Sequence, residues 1–205
     1  MIAIIDYGVG NLFSLKSSFL FIDKEAVVTS NPEEIAKSDR IILPGVGAYG
    51  DAAQKLKNSG LHEVVKKEAE KGKPILGICL GMQLLFEKSY EYGEHEGLGL
   101  IKGNIKPIAD VIPKDYKIPH IGWNGLIFPE NRDKSALYKY VNEGDCVYFV
   151  HSYYACDCED SITAVSEYGG IITASVEQKN IYGTQFHPEK SGKVGLNILN
   201  AFCEL

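Results

Sequence analysis

Two short stretches of the chain hold residues able to do nucleophilic chemistry. Gly77-Ile78-Cys79-Leu80-Gly81 sets a thiol between small neighbours where an apolar run meets a helical pattern. A G-x-C-x-G sequence lets the chain turn sharply from strand into helix and pushes the reactive side chain outward. Two effects then favour the thiolate. The positive end of the helix dipole lies beside the sulfur, and the amide of Leu80 is free to donate to an oxyanion forming at a carbon under attack. The bland alternative is a buried structural cysteine with glycines for close packing. The second stretch is Gly183-Thr184-Gln185-Phe186-His187-Pro188-Glu189-Lys190. In extended chain, His187 and Glu189 fall on one face, and Pro188 stiffens the link between them. A carboxylate there can hold the imidazole in one tautomer. His187 could then take a thiol proton and return it to a leaving nitrogen. A His/Glu pair at a surface turn is the competing interpretation, and it weakens once the elbow is considered with it.

Three further features bear on that chemistry. Leu43-Pro44-Gly45-Val46-Gly47-Ala48-Tyr49-Gly50 contains a literal G-x-G-x-x-G. A dinucleotide site would need an acid about 20 residues on, which falls at Glu70 inside a helical pattern. A loop of backbone donors beside the elbow suits the residues better, with Gly45 and Gly47 free to rotate their peptides. Gln83 lies one helical turn beyond Cys79 on the same face. Glu87, Glu91, Glu94 and Glu96 make the following loop acidic, and one of them could meet a ligand ammonium.

The elements that must position these groups follow from periodicity. Ile2 to Ile5 is a strand, and Asn11 caps a helix burying Leu12, Leu15, Phe19 and Ile22. Glu25 to Val28 is a short strand, and Asn31-Pro32 opens another helix. Arg40 to Leu43 is a strand, Tyr49 to Asn58 and Leu61 to Lys71 are helices broken at Gly60, and Ile75 to Ile78 is the strand before the elbow. A helix from Leu80 should bury Met82, Leu85 and Phe86. This alternation predicts a doubly wound, mostly parallel α/β open sheet with flanking helices, with Cys79 at the carboxyl end of a central strand. From Leu98 the signals become short strands: Lys117 to Trp123, Cys146 to Val150, Ile162 to Tyr168, Ile171 to Glu177 and Ile181 to Gln185. They predict a short antiparallel insertion that returns to the main sheet before a last helix, Ser191 to Phe202. No repeat or linker interrupts the chain, so residues 1–205 are expected to form one domain.

Composition narrows the setting. The chain has 205 residues, 45% of them hydrophobic, enough for one α/β core. A net charge of −6 argues against nucleic acid or an anionic membrane as partner. Met1 to Asp6 has no basic leader pattern, and Pro74 to Phe86 is too short to span a bilayer. Five cysteines without framework spacing suggest reduced thiols in the cytoplasm. Cys156-x-Cys158, with Cys146 or Cys203, lacks paired metal-ligand spacing. No specific role is expected for His62 or His95.

Together, Gly-Ile-Cys-Leu-Gly-Met-Gln, Pro-Gly-Val-Gly and Gln-Phe-His-Pro-Glu-Lys-Ser resemble the class I glutamine amidotransferases, along the chain from Ile2 to the last helix. The resemblance implies a glutaminase with Cys79 as nucleophile, His187 as base and acid, and Glu189 as its orienter. It further implies Leu80 and Val46 as oxyanion amides, and Gly47, Gln83, Glu91, Ser152 and Tyr153 around L-glutamine, with no metal or cofactor. Pro119-His120-Ile121-Gly122-Trp123-Asn124, Val150-His151-Ser152-Tyr153 and Lys190 look most like the branch that serves histidine biosynthesis. That branch implies a (β/α)8-barrel cyclase subunit as partner, faced by Gly10, Asn11, His120, Trp123, Asn124, Tyr138 and Lys190. A glutaminase for another synthase, or a stand-alone cysteine hydrolase or peptidase on the same elbow, are the alternatives.

Overall fold

The computed structural model describes residues 1–205. The first half alternates strand and helix: β1 (Ile2–Ile5), α1 (Leu12–Phe21), β2 (Ala26–Thr29), α2 (Pro32–Lys37), β3 (Arg40–Leu43), α3 (Tyr49–Asn58), α4 (Leu61–Glu70), β4 (Ile75–Ile78) and α5 (Leu80–Leu84). Strands dominate the remainder: β5 (Lys88–Ser89), β6 (His95–Glu96), β7 (Asn104–Pro107), β8 (His120–Gly125), β9 (Cys146–His151), β10 (Tyr153–Cys156), β11 (Ile162–Glu167), β12 (Ile171–Gln178) and β13 (Ile181–Thr184), before α6 (Gly192–Phe202). The Asn11 side chain accepts from Ser14 N, and Asn31 accepts from Glu33 N with Pro32 in the first turn, so both helix starts are closed as their sequences predict.

The main sheet has seven strands in the order β11-β12-β13-β4-β3-β1-β2. From β13 to β2 every pair is parallel, whereas β12 and β11 extend the sheet antiparallel. Alternation along the strands divides the core. Ala3, Ile5, Ile41, Leu43 and Ile75 pack with Ile35 of α2, Leu56 of α3 and Val65 of α4. Ile2, Ile4, Ile42, Leu76 and Ile78 pack with Leu15 and Phe19 of α1 and Ile198, Leu199 and Phe202 of α6. Helices on both faces explain why the parallel strands read as unbroken apolar runs. Each fully buried side chain of this kind contributes on the order of 1.5–3 kcal/mol.

Two expectations change, and one sheet is added. The helix after the elbow stops at Leu84. Leu85 and Phe86 remain buried, but the carbonyls of residues 84–86 accept from Leu98, Gly99, Leu100 and Ile101, and that capture ends the helix. The antiparallel signals of the second half also divide. β11, β12 and β13 belong to the main sheet itself, while β8 and β9 form a separate ribbon. A four-stranded sheet, β10-β7-β5-β6, was not legible, because two of its strands are only two residues long. No helix is long and apolar enough to cross a membrane.

Candidate active site

Cys79 sits at the end of β4, the middle strand of the main sheet, with φ +54° and ψ −112°. A non-glycine residue in that region carries strain of roughly 1–3 kcal/mol, held only by surrounding structure. The holding groups are visible. Cys79 N donates to Thr184 O at 2.7 Å, and Gln83 N donates to Cys79 O at 3.1 Å. The glycines of the motif are required by backbone contact. A Cβ on Gly81 would lie 1.9 Å from Leu43 O, and one on Gly77 would lie 2.7 Å from Gly81 O. Leu80 opens α5, so its N–H has no carbonyl one turn back to bond.

His187 follows β13, the parallel neighbour of β4. Its Nδ1 lies 2.8 Å from Glu189 Oε1, and both side chains are almost wholly enclosed. The spacing works differently from the sequence expectation. Pro188–Lys190 is a 3-10 turn, so the carboxylate folds back under the imidazole instead of sharing an extended face with it. The turn is anchored to β9, since His187 N donates to Tyr148 O at 3.0 Å and Tyr148 N donates to Ser191 Oγ at 2.9 Å. Burial opposes charge on His187, but hydrogen bonds and attraction from Cys79 and Glu189 outweigh it and raise its pKa to about 9. The arrangement therefore favours an imidazolium at His187, beside the sulfur, with Glu189 holding the far nitrogen.

A cavity of about 290 Å³ opens at the sulfur. Val46, Gly47, Cys79, Leu80, Gln83, Glu91, Ser152, Tyr153, His187 and Lys190 all line it, so the structure gathers the expected nucleophile, base, oxyanion and substrate residues into one space. Glu189 stands behind His187. Gly47 has φ +93°, and Tyr7 donates to Pro44 O at 2.7 Å, fixing the start of the glycine loop from below. Glu91 is not a free carboxylate: Oε2 accepts from Tyr49 N and caps α3. Gln83 Nε2 donates to Tyr153 O at 3.2 Å and to Gln185 Oε1 at 3.0 Å, which makes it a wall of the cavity. A larger cavity, about 440 Å³ between α3, α4 and β6, is lined by His62 and His95 but has no thiol.

The expected partner-facing residues separate into two groups. Trp123 and Lys190 are exposed, and Gly10, Asn11 and Asn124 are half-buried. Tyr138 offers no surface: it is fully enclosed and its hydroxyl donates to Ser175 Oγ. His120 is equally enclosed, with its Nδ1 3.0 Å from His151 Nε2 and its Nε2 2.8 Å from the Asn124 amide. Both expectations of direct contact are corrected by burial. A different tyrosine, Tyr148, lies opposite Trp123 in the β8–β9 ribbon and under Lys190 Nζ. Its alternation in Val147-Tyr148-Phe149-Val150 was the available signal. Sequence reasoning also passed over Gln185, whose Nε2 lies 3.7 Å from Cys79 Sγ, and His151, which lines the cavity.

An open α/β sheet with a thiol on a strained elbow and a His–Glu pair at the end of the adjacent strand defines a class of enzyme: acyl-transferring hydrolases that work through a thioester. The pattern of the class-I glutamine amidotransferases matches residues 3–204. Imidazole glycerol phosphate synthase subunit HisH of Caldanaerobacter subterraneus subsp. tengcongensis is 49% identical, covering 100% of this chain and 98% of that one. The same subunit of Oceanobacillus iheyensis is 48% identical, over 100% and 99%. Among solved structures, a glutamine amidotransferase overlays with a TM-score of 0.76 at 16% identity, covering 100% of this chain and 98% of that one. PurLQS of Thermotoga maritima overlays at 0.71 and 21% identity, over 99% and 97%. The chain belongs to the class-I glutamine amidotransferase family, in the branch of the imidazole glycerol phosphate synthase HisH subunits.

Proposed function

We propose that the chain is the glutaminase subunit of an imidazole glycerol phosphate synthase, hydrolysing L-glutamine to L-glutamate and ammonia for histidine biosynthesis. The observation that carries this reading is the meeting of Cys79 and His187 at one cavity, with Glu189 bonded to the far side of His187, in a chain of that branch. The Cys79 thiolate attacks the side-chain amide carbon of glutamine, and the carbonyl electrons move to oxygen. The Leu80 amide and a Val46 amide from the glycine loop receive that oxyanion. Loss of one such donor typically costs about 3 kcal/mol of transition-state stabilisation. The tetrahedral adduct collapses as His187 gives its proton to the departing nitrogen, releasing ammonia and leaving a thioester. His187 then takes a proton from water, whose oxygen attacks the thioester carbon, and the thiolate leaves as glutamate forms. Gly47, Gln83, Glu91, Ser152 and Tyr153 surround the substrate in this reading. The step needs no metal or cofactor.

Ammonia released here has no second reaction centre in the residues argued above, so it passes to another protein. We assign that role to a (β/α)8-barrel cyclase subunit in a cytoplasmic heterodimer, which receives the ammonia through an internal channel and combines it with its own phosphorylated substrate in a lyase-type ring closure that yields imidazole glycerol phosphate and AICAR. The whole chain, 1–205, acts as one glutaminase domain. Trp123, Asn124, Lys190, Gly10 and Asn11 form the docking side, with Tyr148 behind Trp123. Intact-mass and peptide mapping after treatment with a glutamine-like diazo-ketone tests the proposal. An adduct on Cys79, blocked by glutamine and accelerated by the cyclase, is expected. A Cys79 that reacts with a simple alkylator and never with the glutamine analogue would replace this reading with that of a different thiol hydrolase.

A further inference from the structure

Gln185 is fully buried two residues before His187, and the mechanism above does not use it. Its amide orientation is not free. Gln83 Nε2 stands between Tyr153 O at 3.2 Å and Gln185 Oε1 at 3.0 Å. A backbone carbonyl can only accept, so the group facing it must be the Gln83 nitrogen. That nitrogen donates its second hydrogen to Gln185, which makes the near atom of Gln185 its oxygen. The remaining end of the Gln185 amide is therefore its nitrogen, and it lies 3.7 Å from Cys79 Sγ. The backbone holds the group from the other side, with Gln185 N donating to Ala174 O at 2.8 Å. The His187 imidazole also bonds the sulfur, and the remaining polar contact is Val150 O at 3.9 Å, which can take a thiol proton but can give nothing to a thiolate.

From this we infer that Gln185 is a catalytic residue that donates a side-chain N–H to the Cys79 thiolate. Gln83 and the Tyr153 carbonyl fix its direction. The donation is strongest when the sulfur carries full charge and fades once the sulfur is acylated. Gln185 thus supports the free thiolate before attack and the leaving thiolate during thioester hydrolysis. A carbon chain of the same length would fill the space and leave the anion without this donor. This deepens the thioester reading and rests on Cys79 as nucleophile, but not on glutamine as substrate.

The test is alkylation of the full chain by iodoacetamide across pH, with peptide mapping to separate Cys79 from the exposed Cys146. In Gln185→Met, carbamidomethylation of Cys79 at neutral pH should slow about tenfold, the share of one charge-assisted hydrogen bond. Half-maximal reactivity should move upward by about one pH unit, while Cys146 keeps its wild-type profile. Gln185→Glu retains an acceptor for Gln83 and sets a carboxylate against the sulfur, so it should slow Cys79 further. The unmutated protein supplies a reading that needs no variant. The Gln185 side-chain amide proton should move downfield with the same midpoint as Cys79 alkylation, and should stay still in Cys79→Ser. Wild-type alkylation profiles in both variants, or an amide resonance indifferent to Cys79, would overturn the inference. Ammonia release by the wild type is measured separately, so a wrong substrate would not be mistaken for a wrong role of Gln185.

Discussion

His187 Nδ1 meets Glu189 Oε1 at 2.8 Å across a 3-10 turn, inside a space that admits almost no solvent to either side chain. The contact makes the imidazole, the proton carrier of the proposed reaction, a stability group as well. Its folded pKa of about 9 lies above the unfolded value of about 6.5. The charged form is thus favoured by folding, and the stabilisation is fully present below about pH 6.5 and lost as pH rises through about 9. Urea midpoints of the wild type should therefore fall between pH 7 and 9.5 more steeply than those of His187→Gln. Parallel slopes in the two proteins would show that the ion pair does not contribute in this window.

The buried imidazole pair beside the cavity has the opposite sign. Burial lowers the pKa of His151 to about 3, the Tyr153 carbonyl opposes that, and nearby His120 and His187 add to it. Burial also lowers His120, against the raising effect of Asn124. Both are held neutral in the folded chain while the unfolded chain takes protons below about pH 6.5, so stability drops on the acid side of that value. Facing the pair are Tyr168, stacked on His120, the aromatic ring of Phe149, and the carbonyl of Tyr153. A His151→Gln variant should lose less stability than the wild type between pH 6.5 and 5, above the range where most carboxylates titrate. An unchanged slope would mean that the pair already carries a proton in the native state.

Cys79 illustrates the tension between function and folding at an elbow. At φ +54° and ψ −112°, glycine is comfortable and alanine is not. Cys79→Gly and Cys79→Ala should both lose more than about 10⁴-fold in thiol-dependent turnover. Despite its greater unfolded-state freedom, the glycine variant should be the more stable of the two, by about 1 kcal/mol in urea unfolding. Equal stability would indicate that the backbone relaxes once the sulfur is gone.

Much of this site is legible in the sequence because its constraints are local. The glycines flanking Cys79 answer to backbone atoms a few residues or one strand away, and the caps at Asn11 and Asn31 close on amides two or three positions ahead. Parallel strands announce themselves through unbroken apolar runs. What escapes is set by long-range pairing. The early end of α5 depends on amides at 98–101, and the sheet containing β5 and β6 depends on partners that no two-residue strand can encode. Tyr138 and Tyr148 are chemically identical in sequence; only the ribbon places one beside Trp123 and the other in the core.

The glycines around the elbow differ in what they would displace. A Cβ on Gly81 would strike Leu43 O at 1.9 Å, a backbone atom fixed within the sheet. A Cβ on Gly183 would meet Met82 Cγ at 2.4 Å, part of an adaptable side chain. Gly81→Ala should thus cost about 3 kcal/mol or prevent folding, while Gly183→Ala should cost about 1 kcal/mol. Thermal unfolding ranks them, and the reverse order would mean that β3 and α5 can separate more easily than Met82 can change rotamer.

The proposed docking side for a cyclase partner supplies a discriminating pair of substitutions. Trp123 is 55% exposed and Ile121 57%, two apolar side chains side by side on the outward face of β8, and Lys190 of the cavity lining lies over Tyr148, the cross-strand neighbour of Trp123. An exposed tryptophan with that surround suits the anchor of an interface, and its truncation typically costs about 2 kcal/mol or more of binding. Trp123→Ala should weaken association with the cyclase by that amount, read by titration calorimetry. Tyr138→Phe removes a hydroxyl bonded inside the core, to Ser175 and beside Thr163. It should lower stability by about 1 kcal/mol and leave the affinity for the cyclase unchanged. A loss of affinity in Tyr138→Phe equal to that in Trp123→Ala would mean that docking opens the core around Tyr138, and the ribbon would then be a moving element instead of a preformed face.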